Sequence, residues 1–360
     1  MYELLRPLLF TLPPEYAHYL AGLGLKLGIK TPLIKNLIKK DFKDDILSQN
    51  LLGLNFANPI GIGGGFDKNA DLAYGLSYLG FGFLEYGTFT PRPQSGNPSP
   101  RLWRIKEHNS LQNAMGFNNE GSAAVQQNIA KHFPLSLPVF ANIGKNKTTP
   151  NESAINDYIY LTKRFKKLCD GSVINISSPN TPNLRELQNN EFLSTLGKEL
   201  RKITNNPLVL KIAPDMQPNA AVALCQCAIE SGFNAIIINN TSIDYSLYRG
   251  AKSIGGLSGE LICAKSRELF SAVASEIFGK AVLISCGGIS DAREALWRIK
   301  HGASLIEIFT ALIYKGPTMI ENLNKELANL LKIEGFENIS QAVGSALKNK
   351  QNLEFLVEFS

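Results

Sequence analysis

Eight short apolar runs in series, each separated from the next by a longer stretch, constrain this chain more than any other feature. They lie at 59–62, 83–87, 139–143, 172–176, 208–212, 235–238, 281–285 and 304–308. The runs are rich in Val, Ile and Leu and do not alternate with polar residues, which is the pattern of strands buried on both faces. Between them, segments at 154–169, 191–205, 219–231, 263–278 and 292–301 place apolar residues three and four apart, as amphipathic helices do. Ser290-Asp291 before Ala292 is a helix-start signal. Strand–helix units repeated eight times predict an α/β fold, a (β/α)8 barrel. An open doubly wound sheet is the competing architecture; it usually has fewer strands and one ligand site at a switch point.

Barrel sites are built where the strands end at their C-termini. The residues there are Gly63, Gly64, Gly65, Phe66, Asp67 and Lys68, then Thr88, Asn142, Ser177 to Asn180, Lys211, Asn240-Thr241, Gly287-Gly288 and Phe309-Thr310. This set is short of carboxylates and rich in neutral hydrogen-bonding groups, which suits a planar, heteroatom-rich cofactor and a small anionic ligand. Long excursions at 89–120 and 241–260 read as lids or binding walls. The glycine pairs at 255–256 and 287–288, with Gly259, lie where barrels hold a phosphate on backbone N–H groups; turn chemistry is the bland alternative. Lys211 is either a Schiff-base nucleophile or a fixed cation. Lys68 is a second cation at the same rim, or a solvated loop lysine.

Ser178 is the odd element. A serine is a poor base unless its site excludes water and its proton can leave along hydrogen bonds. The four histidines, His18, His108, His132 and His301, lie away from every strand end, which disfavours a Ser-His-Asp hydrolase. Asn175, Asn180 and Thr181 surround the serine and can hold a planar amide, or simply form a turn.

Composition narrows the partners. With 44% apolar and 19% charged residues the chain can build a large core. Its net charge of +6 is too small to argue for nucleic acid. The five cysteines, at scattered positions, do not form a disulfide framework, and Cys225-x-Cys227 lacks zinc-knuckle spacing, so no metal site is expected. No apolar run reaches the roughly 20 residues needed to span a bilayer, and the short run 8–12 before Pro13-Pro14 is no signal peptide.

The chain resembles the dihydroorotate dehydrogenases along nearly its whole length. The matching motifs are 82–94 (GFLEYGTFTPRPQ), 113–118 (NAMGFN), 142–147 (NIGKNK), 175–185 (NISSPNTPNLR), 211–215 (KIAPD), 255–259 (GGLSG) and 315–317 (KGP). Serine at 178, where class 1 enzymes carry cysteine, resembles class 2, the quinone-reducing branch. The resemblance implies oxidation of dihydroorotate to orotate in pyrimidine biosynthesis. Ser178 would take the C5 proton while hydride passes from C6 to FMN, with ubiquinone or another quinone as the final acceptor. Lys68, Asn113, Asn175, Asn180, Asn240 and Thr241 would bind the substrate, and Ala114, Met115, Gly116 and Phe117 would shape its pocket. FMN would contact Gly64, Gly65, Thr88, Asn142, Asn175, Lys211, Asn239, Gly259, Gly288, Phe309 and Thr310. Two positions depart from the family pattern: Asn239 stands where threonine is usual and Phe309 where tyrosine is usual.

Residues 1–43 hold seven basic and three acidic side chains. Tyr16, Leu20, Leu23 and Leu27 form one helical stripe; Leu33, Ile34, Leu37 and Ile38 form a second, with Lys35, Lys39 and Lys40 opposite. Short helices that are apolar on one face and basic on another suit an anionic membrane surface, or dock on the barrel as an ordinary hairpin. The resemblance favours the membrane, with His18 and Arg101 lining quinone access and the protein peripheral on the cytoplasmic face of a bacterial inner membrane. The expected division is a membrane and quinone segment at 1–43, an FMN-binding barrel at 44–335 and a helical tail at 336–360. The competing functions are a related flavin enzyme with another pyrimidine or a soluble acceptor, a Lys211-dependent lyase, and a non-catalytic membrane-binding protein.

Overall fold

The computed structural model describes residues 2–32, 36, 39 and 42–347. Eight parallel strands close into a barrel: Ile60–Ile62, Phe83–Phe89, Val139–Ile143, Gly171–Asn175, Leu208–Ile212, Ala235–Ile238, Val282–Cys286 and Leu305–Ile308, the last pairing with the first. Each expected run falls on one of them, and closure rules out the open sheet. The expected helices form as Ala154–Phe165, Asn190–Arg201, Pro218–Glu230, Cys263–Ile277 and Ala292–Lys300. Asn189 and Asp291 cap two of these by accepting from Phe192 N and Glu294 N. Their apolar stripes, such as Tyr158, Leu161 and Phe165, pack on the outside of the strands.

Inside the barrel the side chains lie in layers, because strand residues two apart share a face. Phe83, Phe140, Val173, Val209, Ile284 and Leu305 form an apolar lower layer, closed from below by Phe56 of the hairpin Gln49–Leu51/Leu54–Phe56. Two residues further along the same strands stand Glu85, Asn142, Asn175, Lys211, Cys286 and Glu307. The change from apolar to polar marks the floor of the site.

The two excursions form one structure. Strands Leu102–Ile105 and Ser110–Asn113 pair antiparallel, and Gly256–Gly259 adds to the second of them, giving a three-stranded sheet. The side-chain amide of Gln112 donates to the carbonyls of Lys252 and Ile254, which fastens the excursions further.

At the N-terminus, helices Tyr2–Leu9 and Pro14–Gly28 border the same cavity as the strand ends. The second begins with proline at its first turn, where a missing N–H costs nothing. It docks through a face of small residues: Ala17 and Gly22 are buried, Gly22 lies against Leu72, and Leu25 sits over Gly75. Lys26 pairs with Asp71. The stripe singled out in the sequence points elsewhere, with Tyr16, Leu23 and Leu27 exposed, as are Leu4, Leu5, Leu8 and Tyr19. The hairpin therefore docks, but by the opposite face. The second stripe, at Leu33, Ile34, Leu37 and Ile38, and the tail beyond 347 lie outside the described residues. Among the described residues no helix is long and apolar enough to cross a membrane.

Candidate active site

A cavity of about 1490 Å³ opens over the polar layer and runs outward beneath the N-terminal helices. Single-ligand pockets are commonly about 300–1,000 Å³, so this one has room for more than one small molecule. Lys68, Asn113, Met115, Gly116, Phe117, Asn175, Ser178, Asn180, Asn240 and Thr241 line it, as do Gly64, Gly65, Thr88, Lys211, Gly259, Gly288, Phe309, Thr310 and His18. Ala114, Asn142, Asn239 and Arg101 do not. Asn142 lies one row behind, accepting from Thr88 Oγ1 (2.6 Å) and donating to Glu85. Asn239 turns into the wall, donating to Ser266 Oγ (3.0 Å). Arg101 is turned aside by Glu15, bonding through Nε and Nη2 at 3.0 Å each.

The floor carries a charge cluster that the sequence reading missed. Lys211 Nζ donates to Glu85 Oε2 at 2.8 Å and Glu307 Oε2 at 2.9 Å, and all three side chains are almost wholly buried. Burial by itself lowers the Lys211 pKa, but the Glu307 and Glu85 carboxylates outweigh it and the pKa is raised. Lys211 is therefore a fixed ammonium and not a Schiff-base amine. Burial pushes both glutamates upward. For Glu85 the Lys211 charge and hydrogen bonds, including that from Asn142, win and hold it below the usual range. For Glu307 burial and the Glu85 charge win, and it is pushed well above the usual range. One cation shared by two carboxylates thus drives their pKa values apart, Glu85 downward and Glu307 upward. The signal was present as period-two spacing: Glu85 follows Phe83, and Glu307 follows Leu305, on the inward face.

Lys68 lies at the rim and donates to Gly65 O at 2.6 Å. Burial lowers its pKa to about 8; the Glu15 carboxylate raises it and Arg101 lowers it. It has no carboxylate within ion-pair reach among the described residues, so an anionic ligand has a half-buried cation to meet.

The serine loop is held from behind. Arg185 Nε donates to Ser177 O (2.8 Å), Nη2 to Thr241 O (2.9 Å) and Nη1 to Asp215 (2.9 Å). Asn240 Nδ2 reaches Ser177 Oγ at 2.8 Å, and Tyr158 OH reaches Asn175 O at 3.1 Å. Ser178 Oγ accepts from Asn180 N at 3.2 Å, and Asn180 Nδ2 donates to Asn113 Oδ1 at 2.9 Å. Arg185, Tyr158 and Asp215 were not among the expected site residues; their long-range partners are what give them this role.

Several buried acceptors near the serine have no protein partner among the described residues: Asn118 Oδ1, Asn180 Oδ1 and Thr241 Oγ1. Unpaired buried acceptors call for donors from a ligand, and a dihydropyrimidine and a flavin both carry ring N–H groups. Glycines 65, 259 and 288 sit at φ +101°, +94° and +78°, leaving backbone open for close approach. The cavity, the fixed ammonium, the orphan acceptors and the glycine-lined rim fit FMN. Among the described residues no group of three His, Cys, Asp or Glu could hold a metal ion.

At the outer end, His18 packs edge-on against Phe66 (5.0 Å between centroids), and Phe66 edge-on against Phe309 (5.6 Å). Burial, and then Lys68, lower the His18 pKa to about 4, so it is neutral near pH 7. Phe309 thus joins an aromatic row where tyrosine was expected.

The family model for dihydroorotate dehydrogenase matches residues 46–331. A protein of a Nitratiruptor species, named dihydroorotate dehydrogenase (quinone), is 51% identical over 345 residues, 95% of this chain and 98% of that one. A protein of the same name from Sulfurimonas denitrificans is 51% identical over 349 residues, 96% and 99% of the two chains. Among solved structures, DHODH from Eimeria tenella in complex with ferulenol superposes with a TM-score of 0.84 at 33% identity, covering 92% of this chain and 95% of that one.

Proposed function

The chain belongs to the dihydroorotate dehydrogenase family, in its quinone-dependent branch, and we propose that it oxidises dihydroorotate through a bound FMN, with Ser178 as the base. The observation that carries this reading is one cavity joining Ser178, the half-buried cation Lys68 and the Lys211 floor to the N-terminal helices.

Dihydroorotate lies with its carboxylate toward Lys68 and its ring amides toward Asn113, Asn180, Asn240 and Thr241. This satisfies the orphan oxygens of Asn180 and Thr241. Ser178 Oγ takes the C5 proton as its own hydroxyl proton leaves to solvent in the cavity; the Asn180 N–H already bonded to that oxygen stabilises the negative charge it gains as the hydroxyl proton departs. Arg185 keeps the loop in place by holding the carbonyls of Ser177 and Thr241. FMN would supply a two-electron acceptor for the hydride from C6. Gly64, Gly65, Thr88, Asn175, Lys211, Gly259, Gly288, Phe309 and Thr310 would hold it, with Asn142 and Asn239 behind. Lys211 would supply positive charge there, with Glu85 and Glu307 behind it.

Electrons leave to a membrane quinone past His18 and Phe66. The exposed apolar residues of the two N-terminal helices, with the basic excess of residues 1–43, support peripheral attachment to an anionic membrane surface at the cytoplasmic face of a bacterial inner membrane. On this reading residues 1–43 are the membrane and quinone segment, 44–335 the FMN barrel and 336–360 a tail with no assigned chemistry.

The test is spectroscopic. The purified protein is yellow, bleaches with dihydroorotate under anaerobic conditions and regains colour with a short-chain quinone. A colourless protein that takes up no FMN sinks the reading. Ser178→Ala retains FMN and slows the bleaching about 10²–10⁴-fold; bleaching at the wild-type rate removes Ser178 from the role of base.

A further inference from the structure

Behind the Gly287–Gly288 turn lies a wholly buried guanidinium that no step above uses. Arg298 has no exposed surface, although Arg293 of the same helix is exposed and Lys300 half-exposed. Its Nε donates to Glu294 Oε1 at 2.7 Å. Nη1 donates to Ser266 Oγ at 3.0 Å and Ser285 Oγ at 3.3 Å. Nη2 donates to the carbonyls of Cys263 and Gly287, each at 3.3 Å. Glu294 also binds Arg267, so this hydrogen-bonded group of three carries two positive charges and one negative. Arg298, Ser266 and Ser285 do not line the cavity, whereas Gly287 and Gly288 do.

The peptide plane turns this into an orientation. In a trans peptide the C=O and the next N–H point in opposite directions. With Gly287 O held toward Arg298, the Gly288 N–H points away from the wall and toward the cavity. Among the described residues that N–H has no acceptor. The turn has φ +105° at Gly287 and +78° at Gly288, a conformation glycine adopts freely but does not keep unaided. Ser266 completes the brace, accepting from Arg298 and Asn239 and donating to Cys286 O at 3.0 Å. Asn239, expected to face the cofactor, acts through this brace instead.

We infer that Arg298 is a positioning residue for the flavin phosphate: by holding the Gly287 carbonyl it aims the Gly288 N–H at the phosphate. The inference rests on the FMN reading and deepens it by assigning the device that separates FMN from the same flavin without its phosphate. Of the two guanidinium groups on Glu294 only that of Arg298 is buried, and it stands directly behind the turn whose N–H a phosphate would meet.

The measurement is a pair of binding titrations on flavin-depleted and reconstituted protein, one with FMN and one with riboflavin, followed by flavin fluorescence. Wild type binds FMN more tightly than riboflavin. Arg298→Met weakens FMN about ten- to a hundred-fold and leaves riboflavin nearly unchanged, and Arg298→Lys, which keeps the charge without the fork, recovers part of the loss. An Arg298→Met protein that loses both ligands equally, or neither, overturns the inference. Where Arg298→Met does not fold, Ser266→Ala carries the test by the same two outcomes. A wild type that shows no preference for FMN fails the cofactor reading itself, which is a different result.

Discussion

Two charge clusters stand behind the walls of the cavity, mirror images in composition but not in burial. On the floor, Lys211 stands between Glu85 and Glu307, one cation to two acids. Behind the Gly287–Gly288 turn, Glu294 stands between Arg267 and Arg298, one acid to two cations. They balance differently. The floor is closed to water, so its excess acts on the carboxyl groups themselves and pushes the Glu307 pKa up. The wall cannot respond that way, because a guanidinium does not give its proton up; it leaves the side chain of Arg267 42% exposed instead. The comparison teaches that burial and residue type together decide whether an excess charge is met by a shifted pKa or by solvent.

The most forceful way to break the comparison is Lys211→Met. It leaves the low-pKa Glu85 buried without its cation, and removing one partner of a buried pair costs about 3–5 kcal/mol. Thermal unfolding at neutral pH registers this as a large drop in Tm together with loss of bound flavin; an unchanged Tm would mean that Glu85 carries no charge in the fold. The next probe uses Lys68, a lysine of the same cavity with no carboxylate within ion-pair reach among the described residues. Its pKa is lowered to about 8, so it is charged below that pH. Affinity for orotate is therefore full below pH 8 and falls as pH rises through it, a trend that Lys68→Met abolishes with about a ten- to a hundred-fold weaker Kd at neutral pH. Binding that stays constant to pH 10 would show Lys68 paired as Lys211 is.

The smallest effect sharpens the comparison most. Glu307→Gln replaces a carboxyl whose pKa is pushed well up by a neutral amide, so stability at pH 5 is expected to shift by only about 1 kcal/mol or less. The pH slope differs. A carboxyl whose folded pKa is raised above its unfolded value binds more protons in the folded state, so its contribution is lost as pH rises through that interval. Wild-type Tm accordingly declines from pH 5 toward pH 9 more steeply than that of Glu307→Gln. Parallel curves would place a full negative charge on Glu307.

The barrel was legible because its strands are buried on both faces and read as apolar runs whatever surrounds them. The rim was legible for a similar local reason: Lys68, Asn175, Ser178 and Lys211 follow directly on those runs. What escaped was set by contacts between distant segments. Glu85 and Glu307 were absorbed into apolar runs although they fall in register with Phe83 and Leu305. Arg298 reads as any basic residue near a helix C-terminus, and only Ser266, Ser285 and Gly287 make it interior. Arg101 was expected to line quinone access, and Glu15, 86 positions away, takes it instead. The exposed apolar side of helix Pro14–Gly28 was identified correctly, but its docking face of Ala17 and Gly22 was not, because small residues give little amphipathic signal.

The sheet that joins the two excursions carries a consequence for anyone who recombines this protein. Asn113 pairs with Gly256, and Ser110 with Gly259, so the strand bearing a proposed substrate ligand and the strand bearing a proposed cofactor ligand form a single ladder. Exchanging residues 89–120 alone with a relative would import half a ladder and misalign the other half. The unit of heredity on this face is the pair of insertions, and a working chimera has to inherit both from one parent.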